Sequence, residues 1–134
     1  MRRKAIIIRK SSDGKRCVCV DVENFETILA YAKLHQKKFN HMVSIILNQL
    51  RVPDLYDKEN INKKVKGVTA MKFFKGRSND RIYCKEFTQD DKTFTVVAVE
   101  LFEKKKTQKN SPKTTHIINK ISNYEYEIIE RNAQ

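Results

Sequence analysis

Residues 93–102 read T-F-T-V-V-A-V-E-L-F, and this stretch decides the fold that we expect for the chain. Its β-branched and aromatic residues are typical of a strand. Apolar side chains alternate onto both faces, with Phe94, Val96 and Ala98 on one face and Val97, Val99 and Leu101 on the other. Because a strand that is apolar on both faces needs cover on both sides, we expect this strand to lie centrally in a sheet that is covered at least in part on each side.

Two more strand signals precede this stretch at short spacing. Residues 67–75 (G-V-T-A-M-K-F-F-K) and 81–88 (R-I-Y-C-K-E-F-T) are rich in β-branched and aromatic residues. The turn-forming runs G-R-S-N-D and Q-D-D-K separate the three segments. Connections this short join antiparallel neighbours, so the sequence predicts a three-stranded antiparallel meander.

The N-terminal half predicts a β-hairpin followed by two amphipathic helices. Residues 5–9 and 15–22 are β-branched runs on either side of Asp13 and Gly14, which form a strong hairpin signal. Asn24 is a good helix N-cap. Apolar residues then recur at helical spacing, as Phe25, Ile28, Leu29 and Ala32 in a first helix and as Val43, Ile46, Leu47 and Leu50 in a second.

The end of the chain predicts a third helix. Ser111 followed by Pro112 is typical of an N-cap and the first helical position. The helical spacing continues through Ile117, Ile121, Tyr124 and Ile128. The predicted order is therefore hairpin, two helices, three strands and a helix, which indicates an α+β fold with residues 1–134 as one domain.

The charge of the chain is strongly positive and unevenly distributed. There are 28 Lys and Arg against 16 Asp and Glu among 134 residues, a net charge of +12. Residues 1–20 hold seven basic residues and one acid, residues 61–85 hold eight and one, and residues 104–120 hold six and none. Folding could bring these blocks into one positive surface, so nucleic acid is the partner that we expect by default.

Several other classes of function lack their sequence signals. The three cysteines, Cys17, Cys19 and Cys84, are odd in number and have no C-x-x-C spacing. This excludes a recognisable disulfide framework or zinc site. We interpret them as small buried hydrophobes. There is no glycine-rich phosphate loop and no H-E-x-x-H or G-x-S-x-G string. No apolar run is long enough to span a bilayer, and we expect a cytoplasmic protein without metal or cofactor.

Two strings resemble a known family. The stretch K-G-V-T-A-M-K-F-F-K-G-R-S-N-D-R-I-Y-C-K-E-F, followed by V-V-A-V-E-L-F-E-K-K-K-T-Q-K-N-S-P-K, is similar to the RelE/ParE superfamily of toxins of type II toxin–antitoxin modules, nearest to its HigB-like branch. The resemblance covers residues 66–130. It implies a RelE-like fold, in which an antiparallel sheet carries two N-terminal helices packed on one face and a C-terminal helix.

The resemblance implies a toxin that is a ribosome-dependent endoribonuclease and cleaves messenger RNA without a metal. In this reaction the ribose 2′-hydroxyl attacks the adjacent phosphate, and the protein supplies proton transfer and positive charge. The implied partners are a cognate antitoxin protein, the ribosome and mRNA. No membrane partner or cofactor is implied, and the oligomeric state stays open.

The strongest candidate for the catalytic site is Arg81, which matches the arginine that contacts the scissile phosphate in the resembled family. Strand alternation puts Tyr83 and Lys85 on the same face as Arg81, as candidate RNA-binding residues. Lys72 and Lys75 match catalytic or phosphate-binding positions, although side chains three residues apart on a regular strand point to opposite faces.

The remaining site candidates lie after the central strand. The resemblance places an active-site basic cluster at Lys105, Lys106 and Lys109, which we interpret as RNA-binding residues. His116 lies one turn into the predicted last helix, beside Lys113 and Lys120, and is a candidate general base or acid.

A second class of function also fits the basic composition. The chain could be a non-catalytic toxin of the same fold, for example a topoisomerase (gyrase) inhibitor, or a module that holds nucleic acid electrostatically. Both classes predict a positive surface and steep salt dependence. A ribonuclease additionally needs an arginine, a lysine and a proton-transfer group that converge on one phosphate.

Overall fold

A computed structural model describes residues 2–59, 65–74, 80–103 and 112–130. These residues form seven strands and three α-helices. In chain order they are β1 (Arg2–Lys10), β2 (Arg16–Asp21), α1 (Phe25–Leu34), α2 (Gln36–Leu47), β3 (Tyr56–Lys58), β4 (Val68–Lys72), β5 (Arg81–Thr88), β6 (Phe94–Phe102), α3 (Pro112–Ser122) and β7 (Glu125–Ile129). The predicted α+β class is confirmed.

The strands form one mixed sheet in the order β3-β4-β5-β6-β2-β1-β7. The predicted hairpin (β1 and β2) and the meander (β4, β5 and β6) are antiparallel, as expected. The prediction of an antiparallel sheet as a whole is wrong, because β2 pairs with β6 in parallel and β7 pairs with β1 in parallel. The connection from β2 to its parallel neighbour β6 runs through both helices and through β3, β4 and β5, so it has the length that parallel pairing needs.

Helices cover both faces of the sheet, and β6 lies at its centre. Alternate residues of β2 and β6 belong to two separate cores. One core packs under α1 and α2 and includes Val18, Val20, Val96 and Ala98. The other core packs under α3 and includes Cys17, Cys19, Val97 and Val99. The expectation of a central strand covered on both sides is therefore confirmed.

A β-bulge changes which face the end of β6 presents. Tyr83 pairs with Glu100 but its neighbour Cys84 pairs with Ala98, so Val99 is an extra residue in β6. The sequence predicted that Leu101 shares a face with Val97 and Val99. After the bulge, Leu101 packs instead on the face that α1 and α2 cover. The bulge also lets Glu100 form an ion pair with Lys120 of α3 at 3.3 Å.

The predicted C-terminal helix ends earlier than its apolar spacing suggests. α3 stops at Ser122, and Glu125–Ile129 continues as the edge strand β7. Ile117 and Ile121 are buried as expected, whereas Ile128 belongs to a strand. The short strand β3 was not predicted either. Asn24 caps α1 with no side-chain bond and instead donates from Nδ2 to the carbonyl oxygen of Val99 at 2.6 Å.

The most connected polar group is the carboxylate of Asp21 at the end of β2, which is fully buried. It accepts hydrogen bonds from Nε and Nη2 of Arg3 at 2.7 and 3.1 Å, from the hydroxyl of Tyr126 at 2.5 Å and from the N–H of Glu23 at 2.8 Å. These donors come from β1, from β7 and from the turn that leads into α1. One side chain therefore fixes three strand ends and a helix start.

We expect Asp21→Asn to destabilise the protein by roughly 3–5 kcal/mol, because it removes the buried counter-charge of Arg3 and leaves only the exposed carboxylate of Glu23. Glu23→Gln is the matched control, because Glu23 is an exposed partner of the same arginine and should cost less than about 1 kcal/mol. Chemical denaturation measures both values. Equal losses in the two variants would contradict the central role of Asp21.

Two glycines with the same backbone conformation make a second stability test. Gly14 and Gly67 both have a φ of +72°, but a Cβ at Gly14 would meet nothing within 4 Å, whereas a Cβ at Gly67 would lie 2.7 Å from the carbonyl oxygen of Glu86. We expect Gly14→Ala to cost about 1–2 kcal/mol from its φ alone. Gly67→Ala should cost at least about 1 kcal/mol more, and equal unfolding free energies would refute this.

Candidate nucleic-acid interface

Two of the basic residues that the sequence singled out, Lys72 and Arg81, lie side by side on β4 and β5. Lys72 pairs with Arg81, which pairs in turn with Phe102 at the end of β6. From this end of the sheet the chain enters residues 75–79 and 104–111, which lie outside the described residues. Lys75, Lys105, Lys106 and Lys109 all fall in these two segments, so their predicted roles stay predictions.

The Arg81 side chain is held in an ion pair with Glu59. Its Nη1 lies 2.5 Å from Oε1 of Glu59, and the two side chains are only 16% and 13% exposed. Nε of Arg81 is buried and has no hydrogen-bond partner within the described ranges. The N–H of Glu59 bonds to the carbonyl oxygen of Val68, so Glu59 lies on the far side of β4 and at the opposite end of that strand. The guanidinium of Arg81 therefore reaches across β4 to make this contact.

Glu59 lines a cavity of about 330 Å³ at the edge of the sheet. Lys58 and Lys66 line the same cavity, and both are exposed. Neither ammonium group has an ion-pair partner among the described residues. The ion pair uses Oε1 of Glu59, and its Oε2 has no hydrogen-bond partner within the described part of the chain. Glu86 lines the cavity as well, so two carboxylates and two lysines face the same space.

A second set of contacts fixes the start of β5 against α1. The hydroxyl of Tyr31 donates to Oδ2 of Asp80 at 2.7 Å, and the N–H of Phe73 donates to the backbone carbonyl of Asp80 at 3.1 Å. Asp80 immediately precedes Arg81, so these bonds also position the arginine backbone. Burial, with the hydrogen bond to Asp80, raises the pKa of Tyr31 well above its ordinary value.

A cation and an aromatic ring lie at the same end of β4. Nζ of Lys38 donates to the carbonyl oxygen of Phe73 at 2.7 Å and lies 3.9 Å from the ring centre of Phe74. The ring of His35 packs edge-on against Phe74, with centroids 5.2 Å apart. These contacts give His35 a structural role in packing α1 against the end of β4.

Two predicted RNA-binding residues have structural roles. Tyr83 is 1% exposed and lies in the core under α3, so its ring has no surface on which a base could stack. Burial, with the nearby charge of Glu59, raises the pKa of Tyr83 to about 12. We therefore reassign Tyr83 to the core. Strand alternation predicts that Arg81, Tyr83 and Lys85 share a face, but it carries no information about α3, which covers that face.

Lys85 is the second residue that we reassign. Its Nζ donates to the carbonyl oxygens of Ser122 at 2.7 Å and Lys66 at 3.2 Å, which joins β5 to the end of α3 and to the segment before β4. Burial lowers the pKa of Lys85. A positive charge at a helix C-terminus satisfies carbonyls that lack partners there, so Lys85 stabilises the fold instead of facing solvent.

His116 lies exposed on α3. It has no hydrogen-bond or ion-pair partner among the described residues, and no contact brings it to Arg81. Lys72 remains near the site: its Nζ makes a long exposed bond of 3.3 Å to the carbonyl oxygen of Pro53. Of the predicted catalytic residues, the described part of the structure therefore brings together only Lys72 and Arg81.

Sequence reasoning missed Glu59. Nothing in its local pattern marks it, because it follows a three-residue strand that was not predicted. The only available signal is that a carboxylate borders the strongly basic block of residues 61–85. Among the described residues, no cluster of three or more His, Cys, Asp or Glu side chains could hold a metal ion.

Comparison with protein families, with curated proteins and with solved structures gave no match. No helix in the described part of the chain is long and apolar enough to cross a membrane.

We expect Lys85→Met to destabilise the protein by about 2 kcal/mol, because it removes two hydrogen bonds from a charged donor. Lys72→Met is the control and should cost less than about 1 kcal/mol, since its single bond is long and exposed. Thermal unfolding followed by circular dichroism measures the difference. A larger loss for Lys72→Met would contradict the structural role of Lys85.

Proposed function

We propose that this chain is the toxin of a type II toxin–antitoxin system, a RelE/ParE-like protein that cleaves messenger RNA at the ribosome. The order of elements that this resemblance implies agrees with the described fold: two helices on one face, a three-stranded meander and a helix after it. A cognate antitoxin would keep the protein silent by covering its positive surface.

The observation that carries the catalytic part of the proposal is the Glu59–Arg81 pair beside a cavity that Lys58 and Lys66 line. Cleavage by 2′-hydroxyl attack needs a base for the hydroxyl proton and positive charge for the phosphate oxygens. In the proposed mechanism Oε2 of Glu59 accepts the proton of the 2′-hydroxyl while the 2′-oxygen bonds to phosphorus. The P–O5′ bond breaks, which leaves a cyclic phosphate and a 5′-oxygen that takes a proton from water. Arg81 contributes positive charge that stabilises the negative charge developing on the phosphate.

The lysines extend this site to the neighbouring nucleotides. Lys58 and Lys66 flank Glu59 at the cavity and can bind the phosphates on either side of the cleaved bond. Such contacts position the RNA without selecting its sequence. Nothing in this mechanism requires Tyr83 or Lys85, which is consistent with their burial in the fold.

A non-catalytic binding module is the second candidate. It is favoured by the low exposure of Arg81 and Glu59, whose charges largely neutralise each other and which could serve the fold alone. The exposed lysines would then bind nucleic acid by charge, or the protein would act on another target such as gyrase. The two candidates differ in what Glu59 does, because only a nuclease uses its carboxylate as a base.

We expect Glu59→Gln to reduce RNA cleavage by at least about 100-fold while RNA binding stays equal or becomes tighter, since the change removes a base and a negative charge. Arg81→Ala should also abolish cleavage. The measurement is induction in bacterial cells, with mRNA ends mapped by primer extension, together with binding of labelled RNA to the purified variants.

Glu26→Gln is the matched control, because it makes the same chemical change on an exposed helix position and should leave cleavage unchanged. Growth arrest without new RNA ends would support the second candidate. Cleavage that persists in a folded Glu59→Gln variant would remove Glu59 from the mechanism.

A further inference from the structure

Two of the three free cysteines lie in contact with each other on β2. The side chains of Cys17 and Cys19 point to the same face of the strand, in the core under α3, and their Sγ atoms are 3.8 Å apart. Cys84 belongs to the other core, under α1 and α2. The fold therefore holds one pair of adjacent thiols and, apart from it, a third thiol that serves as an internal control.

A polar cavity of about 190 Å³ reaches one member of this pair. Cys17 lines the cavity together with residues of β1, of the β5–β6 turn and of the end of β7. Lys10, Gly14 and Asp91 are among these residues and are exposed, so the cavity opens to solvent. Cys19 is fully buried. A reagent that enters the cavity therefore meets Cys17 first.

A chain of hydrogen bonds leads from the β5–β6 turn to the sulfur of Cys17. Sγ of Cys17 donates to the hydroxyl oxygen of Thr95 at 3.5 Å, and the same oxygen accepts from Nε2 of Gln89 at 2.8 Å. The hydroxyl proton of Thr95 makes only a long bond of 3.3 Å to the carbonyl oxygen of Thr93. It can therefore turn to the sulfur when Cys17 is ionised.

The two thiols differ in how readily they ionise. The hydrogen bond with Cys19 lowers the pKa of Cys17, and Thr95 and the charge of Lys10 act in the same direction, against burial and the charge of Asp91. The same hydrogen bond, together with burial, raises the pKa of Cys19. Because the thiolate is the nucleophilic form of cysteine, Cys17 is the reactive member of the pair and Cys19 stays protonated beside it.

The size and polarity of the cavity select the reagent. Pockets for drug-sized molecules hold roughly 300–1,000 Å³, so a disulfide as large as glutathione disulfide does not fit, whereas a polar molecule of a few atoms does. We propose that Cys17 and Cys19 form a reaction site for small hydroperoxides such as hydrogen peroxide, in which the Cys17 thiolate attacks beside Lys10 and Cys19 resolves the product.

The reaction has two balanced steps. The Cys17 thiolate attacks one peroxide oxygen, so that an S–O bond forms, the O–O bond breaks, and the departing hydroxide takes the proton that Cys17 released. The sulfur of Cys19 then attacks the resulting sulfenic acid. An S–S bond forms, the S–O bond breaks, and the second hydroxide leaves as water with the proton of Cys19. Two thiols are oxidised to a disulfide, and one peroxide is reduced to two waters.

The backbone of β2 allows the second step. Residues i and i+2 of a strand are about 6.6 Å apart, and the Cα atoms of disulfide-bonded cysteines are usually about 4.4–6.8 Å apart. A small contraction of β2 therefore brings the two sulfurs to bonding distance. Neither cysteine takes part in the mechanism proposed above, so this proposal stands whether or not the protein cleaves RNA.

The test treats the purified, reduced protein with hydrogen peroxide and follows the products by intact mass and peptide mapping. We expect the loss of two hydrogen atoms, a bond that maps to Cys17 and Cys19, its reversal by dithiothreitol, and an unmodified Cys84. Cys19→Ser should stop the reaction at the sulfenic acid of Cys17, which dimedone traps. The wild-type map requires no variant, so it decides the proposal even where a cysteine substitution prevents folding.

A pair of lysine variants tests the surroundings of Cys17. Lys10→Met should slow the oxidation of Cys17 at least about threefold, because the thiolate loses a nearby cation while Glu130, the partner of Lys10, keeps its charge. Lys33→Met is the matched control, because it makes the same change at an exposed position of α1, and it should leave the rate unchanged.

Four results would overturn the proposal. The first is oxidation of Cys84 as fast as that of Cys17. The second is a disulfide that forms between two copies of the chain instead of within one. The third is a Cys17 that reacts only after denaturation, since the cavity would then give no access to it. The fourth is equal slowing by Lys10→Met and Lys33→Met, which would indicate an effect of net charge alone.

Discussion

Three strand ends and the start of α1 meet at one buried carboxylate, that of Asp21. It lies where β2 ends and the chain turns into α1, and its donors come from β1 and β7 as well. The hydrogen bond and charge of Asp21 raise the pKa of Arg3 despite the opposing effect of burial, and burial together with Asp21 raises the pKa of Tyr126. Both donors therefore keep their protons over the whole physiological pH range.

A buried charge network of this kind contributes more to specificity than to net stability. Apolar side chains could pack β1 against β7 in several registers, because a strand edge offers the same backbone groups at every second residue. Asp21 needs Arg3 and Tyr126 opposite each other, and these two residues are register partners in the β1–β7 pairing. The network thus selects one register for a parallel edge strand that only five residues form.

The sequence predicted those elements whose signals are local. The limits of β5 were predicted correctly, and the Asp13-Gly14 turn closes the hairpin as expected, with the N–H of Ser11 bonded to the carbonyl oxygen of Arg16 at 2.9 Å. Ile128 fits both a helical and a strand period, so its assignment depended on the pairing with β1, which no local pattern encodes. The face of Leu101 was missed for a similar reason, since a bulge depends on two strands together.

The candidate site shows the same difference between features with a local sequence signal and features that depend on distant segments. Strand alternation correctly predicted that Tyr83 and Lys85 share a face, but only the packing of α3 determines that this face is covered. Arg81 was predicted as a site residue from its position in a strand and from the resemblance of that strand to a known family. Its partner Glu59 was not found, because the contact spans 22 residues and crosses β4.

The Glu59–Arg81 pair also has an energetic consequence. Two charges with so little exposure lose much of their hydration, and their mutual attraction often only balances that loss, so an apolar pair of similar size would stabilise this edge at least as well. Stability alone therefore does not explain why a carboxylate stands beside the cavity, with Nε of Arg81 lacking a partner among the described residues. Under the proposed function, a phosphate group would bind the exposed lysines Lys58 and Lys66, which line the cavity together with Glu59. If the proposed function is correct, the cost of burying the pair prepares the site in advance, because a guanidinium already fixed by Glu59 would lose little further freedom on binding RNA.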